Sequence, residues 1–517
     1  MQRSVSLLAA LFALAVAAHA DVRLPAVLGE HMVLQRNVAL PIWGWASAGE
    51  AVSVSFAGQQ QDTLADANGT WRVTLDPVPA GGPHELRVTG DNELRVRDVL
   101  VGEVWLCSGQ SNMEWELALS ENAARHVSEA THPQLRLFHV PRGSAAWPRD
   151  DTPSEWRACT PASAEWFSAV AYFFGRRLHA ELGVPVGLVA SAFGGTHIEP
   201  WTPPEGFAAI ASRQVVLDEM RMERAAYPEA LRPRLDAYET WVLAARAALA
   251  DGSPLPDMPE IPDHPHAARD QPSALYNVMI HPLVPFAFGG VTWYQGEQDL
   301  GDGALYTEKM RAWIAGWREV FERPELPVLF VQLAPFEYSS GFGLLAELRE
   351  AQRAASAIPG TAMALTPDVG DLHDIHPKDK LSVGERLARL ALHHVFGRSE
   401  LIANGPLVSG LERLDDGRVR VRFRWSEGLR VTDEAAPGPF ELRDAQDNWV
   451  PAEARLDGET IVLAAAGVAS PRAVRFAWDA SVPPNLVNAA SLPACPFRED
   501  LDAAATAPRD ERAGARR

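Results

Sequence analysis

The sequence predicts an α/β domain built on a parallel sheet, flanked on both sides by β-rich segments. Three observations lead there. Short apolar runs, each ending in a glycine-containing polar turn, alternate with helical stretches between about residues 99 and 400, which is the signature of strand–helix–strand units. Period-two alternation of apolar and polar residues marks the segments before and after that region. The chain has 517 residues, beyond the roughly 250–300 that one hydrophobic core commonly serves, so more than one domain is expected.

Taken in chain order, residues 1–20 read as a signal peptide. Arg3 supplies the positive start, Leu7 to Ala18 an apolar stretch, and Ala18-His19-Ala20 a small-x-small cleavage site. The stretch is too short to span a bilayer, and no later one reaches ~18 uninterrupted apolar residues, so an exported protein without stable membrane association is expected, in the periplasm or outside the cell. Residues 21–98 read as a small β-sandwich. Val52, Val54 and Phe56 alternate with serines, Asn68-Gly69 marks a tight turn before Trp71 to Leu75, and Glu85 to Val88 alternates again.

The expected α/β region, 99–400, opens with the strand Leu100 to Leu106, which runs into Ser108-Gly109-Gln110-Ser111. Further strands are predicted at 184–189, 290–294 and 326–331. The segment from about 205 to 250 is rich in Ala, Glu, Arg and Leu and predicts an inserted helical hairpin, closed by the proline-rich loop 253–272. From 401 to about 500 the β pattern returns, most clearly in Arg418 to Trp425 and Ala473 to Trp478. Residues 501–517 read as a disordered tail.

A net charge of -20 argues against nucleic acid as partner, because phosphate binding needs basic patches. Sixteen tryptophans suit a sugar-binding cleft but equally suit cores. Cys107, Cys159 and Cys495 make an odd set in an exported chain. At least one thiol is then unpaired within the chain, a Cys159–Cys495 bridge is admissible, and no Cys/His set has zinc spacing.

Four turns carry candidate chemistry. Gly109-Gln110-Ser111-Asn112 follows a strand of a parallel sheet, where ligands bind beyond the carboxyl ends. Ser111 there is either a nucleophile or a helix cap. Asp371-Leu372-His373-Asp374-Ile375-His376-Pro377 places histidines and carboxylates far downstream of that serine, the order Ser…Asp…His; a solvated loop or a metal-binding cluster is the alternative. Phe193-Gly194-Gly195-Thr196 offers a backbone N–H for a developing oxyanion, or a plain turn. Trp293-Tyr294-Gln295-Gly296-Glu297 offers a side-chain amide as a second donor, while Glu297 suits catalysis, loop anchoring or sugar hydroxyls.

These turns, in this order, resemble the SGNH hydrolases, and more narrowly the sialate O-acetylesterase family. The resemblance rests on Gly102 to Trp115, Gly194 to Trp201, Trp293 to Glu297 and Asp374 to Pro377, together with Leu24 to Leu28, His31 to Arg36 and Ala494 to Arg498. It implies a flavodoxin-like, three-layer α/β/α hydrolase domain with β-rich flanks, acting on O-acetyl esters of sialic acid or related sugars without metal or organic cofactor. It implies Ser111 as nucleophile and His376 as general base. Asp374 would be the triad acid, with Asp371 the alternative because His373 occupies the place three residues before the base. Oxyanion donors would be the amides of Ser111 and of Gly194 or Gly195, plus the side chain of Gln295. Asn112, Trp293 and Glu297 are expected at the substrate. Gln298-Asp299 stands where the family has Ser-Asn, and Val278 where it often has Gly; both bear on the substrate pocket. Two rival readings are an acetylesterase of xylan or another plant polysaccharide, and a carbohydrate-binding protein on an inactive hydrolase scaffold. Intact Ser111, His376 and Gln295 weigh against the second.

Overall fold

The computed structural model describes residues 21–260, 264–341 and 343–501. The signal-peptide expectation at 1–20 and the tail expectation beyond Leu501 fall outside those residues.

The central sheet is assembled from β1 (Glu93–Gly109), β2 (His132–His139), β3 (Trp156–Cys159), β4 (Val186–Ala192), β5 (Gly290–Tyr294), β6 (Val328–Val331) and β7 (Thr361–Ala364), in the order β7-β6-β5-β1-β4-β2-β3. All neighbours are parallel except β2 and β3. Leaving out the β2–β3 edge hairpin, the order of the remaining strands is that of flavodoxin-like sheets. Strands β4, β5 and β6 are buried at every position, which explains their continuous apolar runs: helices cover both faces of a parallel sheet, so no face alternates with solvent.

Helices α2 (Ala169–Leu182) and α6 (Lys380–His394) pack against each other, as do α4 (Leu305–Val320) and α5 (Gly343–Ala355). With the short α1 (Ser111–Glu114) they complete a three-layer α/β/α domain. In place of the expected hairpin at 205–250, a short helix, Pro204–Ala209, is followed by one 38-residue helix, α3 (Gln214–Asp251), running through Pro228 and Pro233. Its buried residues, Leu217, Met220, Ala245 and Ala248, lie only toward its two ends. The middle buries nothing that would fold it back, so the composition of that stretch encodes one exposed rod.

The N-terminal strands join the same structure. Glu93–Gly109 is 17 residues long; its first half pairs with Gly81–Thr89, its middle with Val33–Gln35, and its second half with β4 and β5. One strand therefore runs through the position near 98 where a domain boundary is expected, and Val52, Val54 and Phe56 share one buried cluster with Trp105 and Leu106. The C-terminal segment is a separate pair of four-stranded antiparallel sheets with its own core around Val421, Leu442, Ile461 and Phe476.

Trp293 belongs to this architecture and not to a sugar site. It is 1 % exposed, stacks on Trp313 at 4.2 Å and meets Trp201 and Trp317 edge-on. All three cysteines are free and buried, so Cys159 and Cys495 form no bridge, and burial pushes each thiol up to about 12.

Gly109 ends β1 with φ +146°, and a Cβ there would fall 2.2 Å from the Tyr294 carbonyl. Gly109→Ala combines a φ that L-residues avoid with a backbone clash, and is expected to cost at least about 2 kcal/mol, read as a fall in the denaturant midpoint.

Candidate active site

Ser111 is the first residue of α1 and stands directly beyond the carboxyl end of β1. It lies where the sheet's connections reverse direction, on either side of β1, which is where open α/β sheets bind ligands. The Ser111 amide makes no hydrogen bond to another described residue, nor does that of Gly195. The two segments touch: a Cβ on Gly194 would lie 3.1 Å from Ser111 Cβ. Gly195, at φ +66°, turns the chain there.

His376 arrives from the loop after β7. Its Nε2 lies 2.8 Å from Ser111 Oγ, so two residues 265 positions apart form a hydrogen-bonded hydroxyl–imidazole pair. The ring stacks on Trp115, centroids 4.8 Å apart and planes 18° apart. Burial, then the nearby Lys380 charge, lower its pKa below the ordinary 6.5, against an opposing pull from Asp374. The neutral imidazole, able to accept a proton, is thereby favoured.

The carboxylates behave differently from a hydrogen-bonded triad. Asp374 Oδ1 accepts the backbone N–H of His376 at 2.9 Å, while His376 Nδ1 is 3.9 Å away, too far for a hydrogen bond. Asp374 thus shapes the loop and supplies a nearby charge. Asp371 accepts from the His373 amide at 2.8 Å and bridges only to its own loop. His373 points outward, 4.0 Å from Glu337.

Four further expectations need correction. Gln295 is fully buried, and both of its amide hydrogens are used, on the Thr196 carbonyl (3.0 Å) and Asp299 Oδ2 (2.5 Å); its own carbonyl accepts from Tyr306 at 2.8 Å. It braces the Gly194–Thr196 turn from behind and has no free hydrogen to give an oxyanion. The Gly194 amide is likewise taken, by Glu114 Oε2 at 3.0 Å, which leaves Gly195 as the open donor of that pair. Asn112, 2 % exposed, faces inward as well: its amide donates to Glu297 Oε1 (2.5 Å) and to the Ile375 carbonyl (3.0 Å), and its oxygen accepts from Lys380 (2.5 Å). Glu297 is the anchor of that network, its carboxyl pushed up from the usual range by burial, with the Asn112 hydrogen bond opposing.

Glu114, Trp115 and Lys380 escape residue-by-residue reading. The first two lie within the run around Ser111 and the third four places beyond His376, but only packing shows what they hold. Glu114 also pairs with Arg142. Beside the site, His197, Glu199 and Asp299 converge closely enough to hold an ion. That place already has a cation: Lys309 Nζ lies 2.7 Å from Glu199, 3.2 Å from Asp299 and 2.6 Å from Asp302.

The geometry supplies an activated hydroxyl, a base biased to its neutral form, and two unpaired backbone amides from converging turns. That set suits acyl transfer. Comparison with known proteins agrees. The sialic acid-specific acetylesterase family of carbohydrate esterases matches residues 101–229 and 268–393. The chain is 32 % identical to a rat sialate O-acetylesterase over 502 residues, 88 % of this chain and 89 % of that one. It is 29 % identical to the human sialate O-acetylesterase over 503 residues, 88 % and 87 % of the two chains. A crystal structure of a carbohydrate acetylesterase from Xanthomonas citri superimposes with a TM-score of 0.77 at 37 % identity, covering 93 % of this chain and all of that one. With the fold, the serine–histidine contact and these likenesses together, the chain belongs to the sialic acid-specific acetylesterase family of carbohydrate esterases.

Proposed function

We propose that this protein hydrolyses O-acetyl esters of sialic acid or a related sugar through an acetyl-serine intermediate, after export to the periplasm or the cell exterior. The observation that carries the reading is the 2.8 Å contact of Ser111 Oγ with His376 Nε2 beside the unpaired Ser111 and Gly195 amides.

In the first half-reaction His376 Nε2 takes the proton of Ser111 as Oγ attacks the acetyl carbonyl. The negative oxygen is met by the N–H groups of Ser111 and Gly195, donors fixed in place before reaction. The C–O bond to the sugar breaks, and the sugar oxygen leaves with the proton from His376. Water repeats the sequence on the acetyl-enzyme, and acetate departs. The imidazolium formed at each stage is stabilised by the Asp374 carboxylate through space and by the stacked Trp115 ring. No step calls for a cofactor. Asn112 and Glu297 support the site from within, so the sugar is met by residues nearer the surface, among them half-exposed His197, which pairs with buried Asp299 at 3.0 Å.

The test is acetate release from a panel holding O-acetyl sialic acids, acetylated xylan and p-nitrophenyl acetate. Ser111→Ala is expected to lose at least ~10⁴ in kcat on every substrate cleaved with an unchanged melting temperature; wild-type-like turnover in that variant overturns the assignment. A sugar preference confined to xylan would move the substrate from sialic acid to plant polysaccharide and leave the chemistry intact. Asp374→Ala is expected to lower kcat by only about tenfold, against the ~10⁴ seen where an acid is hydrogen-bonded to its base. Activity should fall as pH drops, because the protonated imidazole cannot accept the serine proton. With the His376 pKa lowered, the acidic limb of kcat/KM is expected below pH 6.5.

A further inference from the structure

Helix α6 begins with a lysine whose side chain turns inward. Lys380 is 1 % exposed, and its ammonium donates to Asn112 Oδ1 at 2.5 Å. Asn112 follows the nucleophile and spends its amide on Glu297 and on the carbonyl of Ile375, the residue before His376. One asparagine thus ties together the helix carrying Ser111, the loop carrying His376 and the turn after β5, and Lys380 holds its oxygen. The ammonium also lies 5.6 Å from the centroid of Trp115, the ring on which His376 stacks, and 5.8 Å from Tyr294. Among the described residues no carboxylate stands within 4 Å of Lys380 Nζ, and Glu297 Oε2 is buried without a hydrogen-bond partner. Burying an ammonium without a direct counter-ion is costly, and such costs concentrate at functional sites.

We propose that Lys380 is a positioning residue for the Ser111–His376 pair: anchored on Asn112, its buried ammonium clamps the base-bearing loop onto the nucleophile's helix and sets a positive charge beside the imidazole. This rests on the reading in which Ser111 and His376 react. The charged groups that act on the imidazole are Lys380 at the start of α6 and Asp374 on its own loop; Glu297, from the turn after β5, and Asp379 act on Lys380. Among them Lys380 is the cation. While protonated it repels a proton on His376 and so favours the neutral base, and Asp374 opposes that repulsion when the imidazolium forms in reaction. Burial drives the Lys380 ammonium down to about 7, against Glu297, Asp374 and Asp379, which pull it up, so its own charge changes in the working range.

Two substitutions separate the clamp from the charge. Lys380→Met keeps the side-chain length and removes the charge; it is expected to lower kcat at least about tenfold with KM changed less than about threefold, and to move the acidic limb of kcat/KM to higher pH as His376 binds protons more readily. Asn112→Ala keeps the ammonium but cuts its anchor and the ties to Ile375 and Glu297; a similar loss of kcat is expected, with KM and the limb nearly unmoved. A kcat loss in Lys380→Met with an unmoved limb, or both variants within about threefold of wild-type kcat, overturns the proposal. If Lys380→Met does not fold, Asn112→Ala decides alone: a kcat loss with KM held supports the clamp, and unchanged kcat overturns it. Ser111→Ala, assayed beside them, tells the two failures apart. Inactive Ser111→Ala with fully active Lys380 and Asn112 variants removes only this inference, whereas active Ser111→Ala removes the reading beneath it.

Discussion

Ser111 and His376 can touch only if the chain after β7 returns across the carboxyl ends of the sheet. β7 is three strands away from β1, and neighbouring strands lie ≈ 4.7–4.9 Å apart, so the loop must cover on the order of 14 Å before its histidine reaches the serine. Loops of this kind lose conformational freedom on ordering, and something must hold them down. Here that is a set of directed contacts: Asn112 on the Ile375 carbonyl, Asp374 on the His376 amide, and the His376 ring on Trp115. The sheet supplies the anchor for all of them, because β1 is pinned on both sides by β4 and β5 along its second half and extends backward into the N-terminal strands.

Much of this was legible in the residues. Parallel strands buried on both faces read as unbroken apolar runs, and the strands at 290–294 and 328–331 fall where such runs are. Ser111 was legible because it sits in a long motif at a strand end, where exposure is dictated by topology, and His376 because its motif sets histidines beside carboxylates far downstream of that serine. Side-chain direction was not. Trp293 and Gln295 occupy the same strand–turn junction as residues of a ligand site, yet one enters the tryptophan cluster beneath the sheet and the other braces a neighbouring turn. A motif states that a position lies at the carboxyl end of a strand; packing decides whether its side chain faces the ligand or the core. The same holds for the stretch 205–250, whose composition specified helix but not whether it would fold back, a question settled by what its middle has to bury.

The buried polar residues around the site share a physical pattern. Gln295, Asn112, Asp299 and Lys380 are polar, buried and paired with one another's elements, and none of them touches solvent appreciably. A buried polar group left unpaired costs more than its hydrogen bond contributes, so a network of this kind is rigid when complete and damaging when broken. That rigidity is what an esterase of this design needs. Oxyanion donors act without reorganisation only if the turns bearing them are already fixed, and Gln295 fixes the Gly194–Thr196 turn through the Thr196 carbonyl while Glu114 holds the Gly194 amide.

The same packing bears on an imidazole whose nearest carboxylate, Asp374, stands 3.9 Å from Nδ1 and is not hydrogen-bonded to it. In a hydrogen-bonded triad the acid performs three tasks: it orients the ring, selects its tautomer and stabilises the imidazolium. Here the tasks are distributed. Trp115 orients the ring by stacking, and the serine hydroxyl at Nε2 leaves Nδ1 to carry the proton. The charges around the loop, negative at Asp374 and positive at Lys380, balance the two protonation states. Asp374, two residues before the histidine, is spent on the backbone turn between them and stands 3.9 Å from the ring nitrogen, so the work of holding the ring falls on the packing around it.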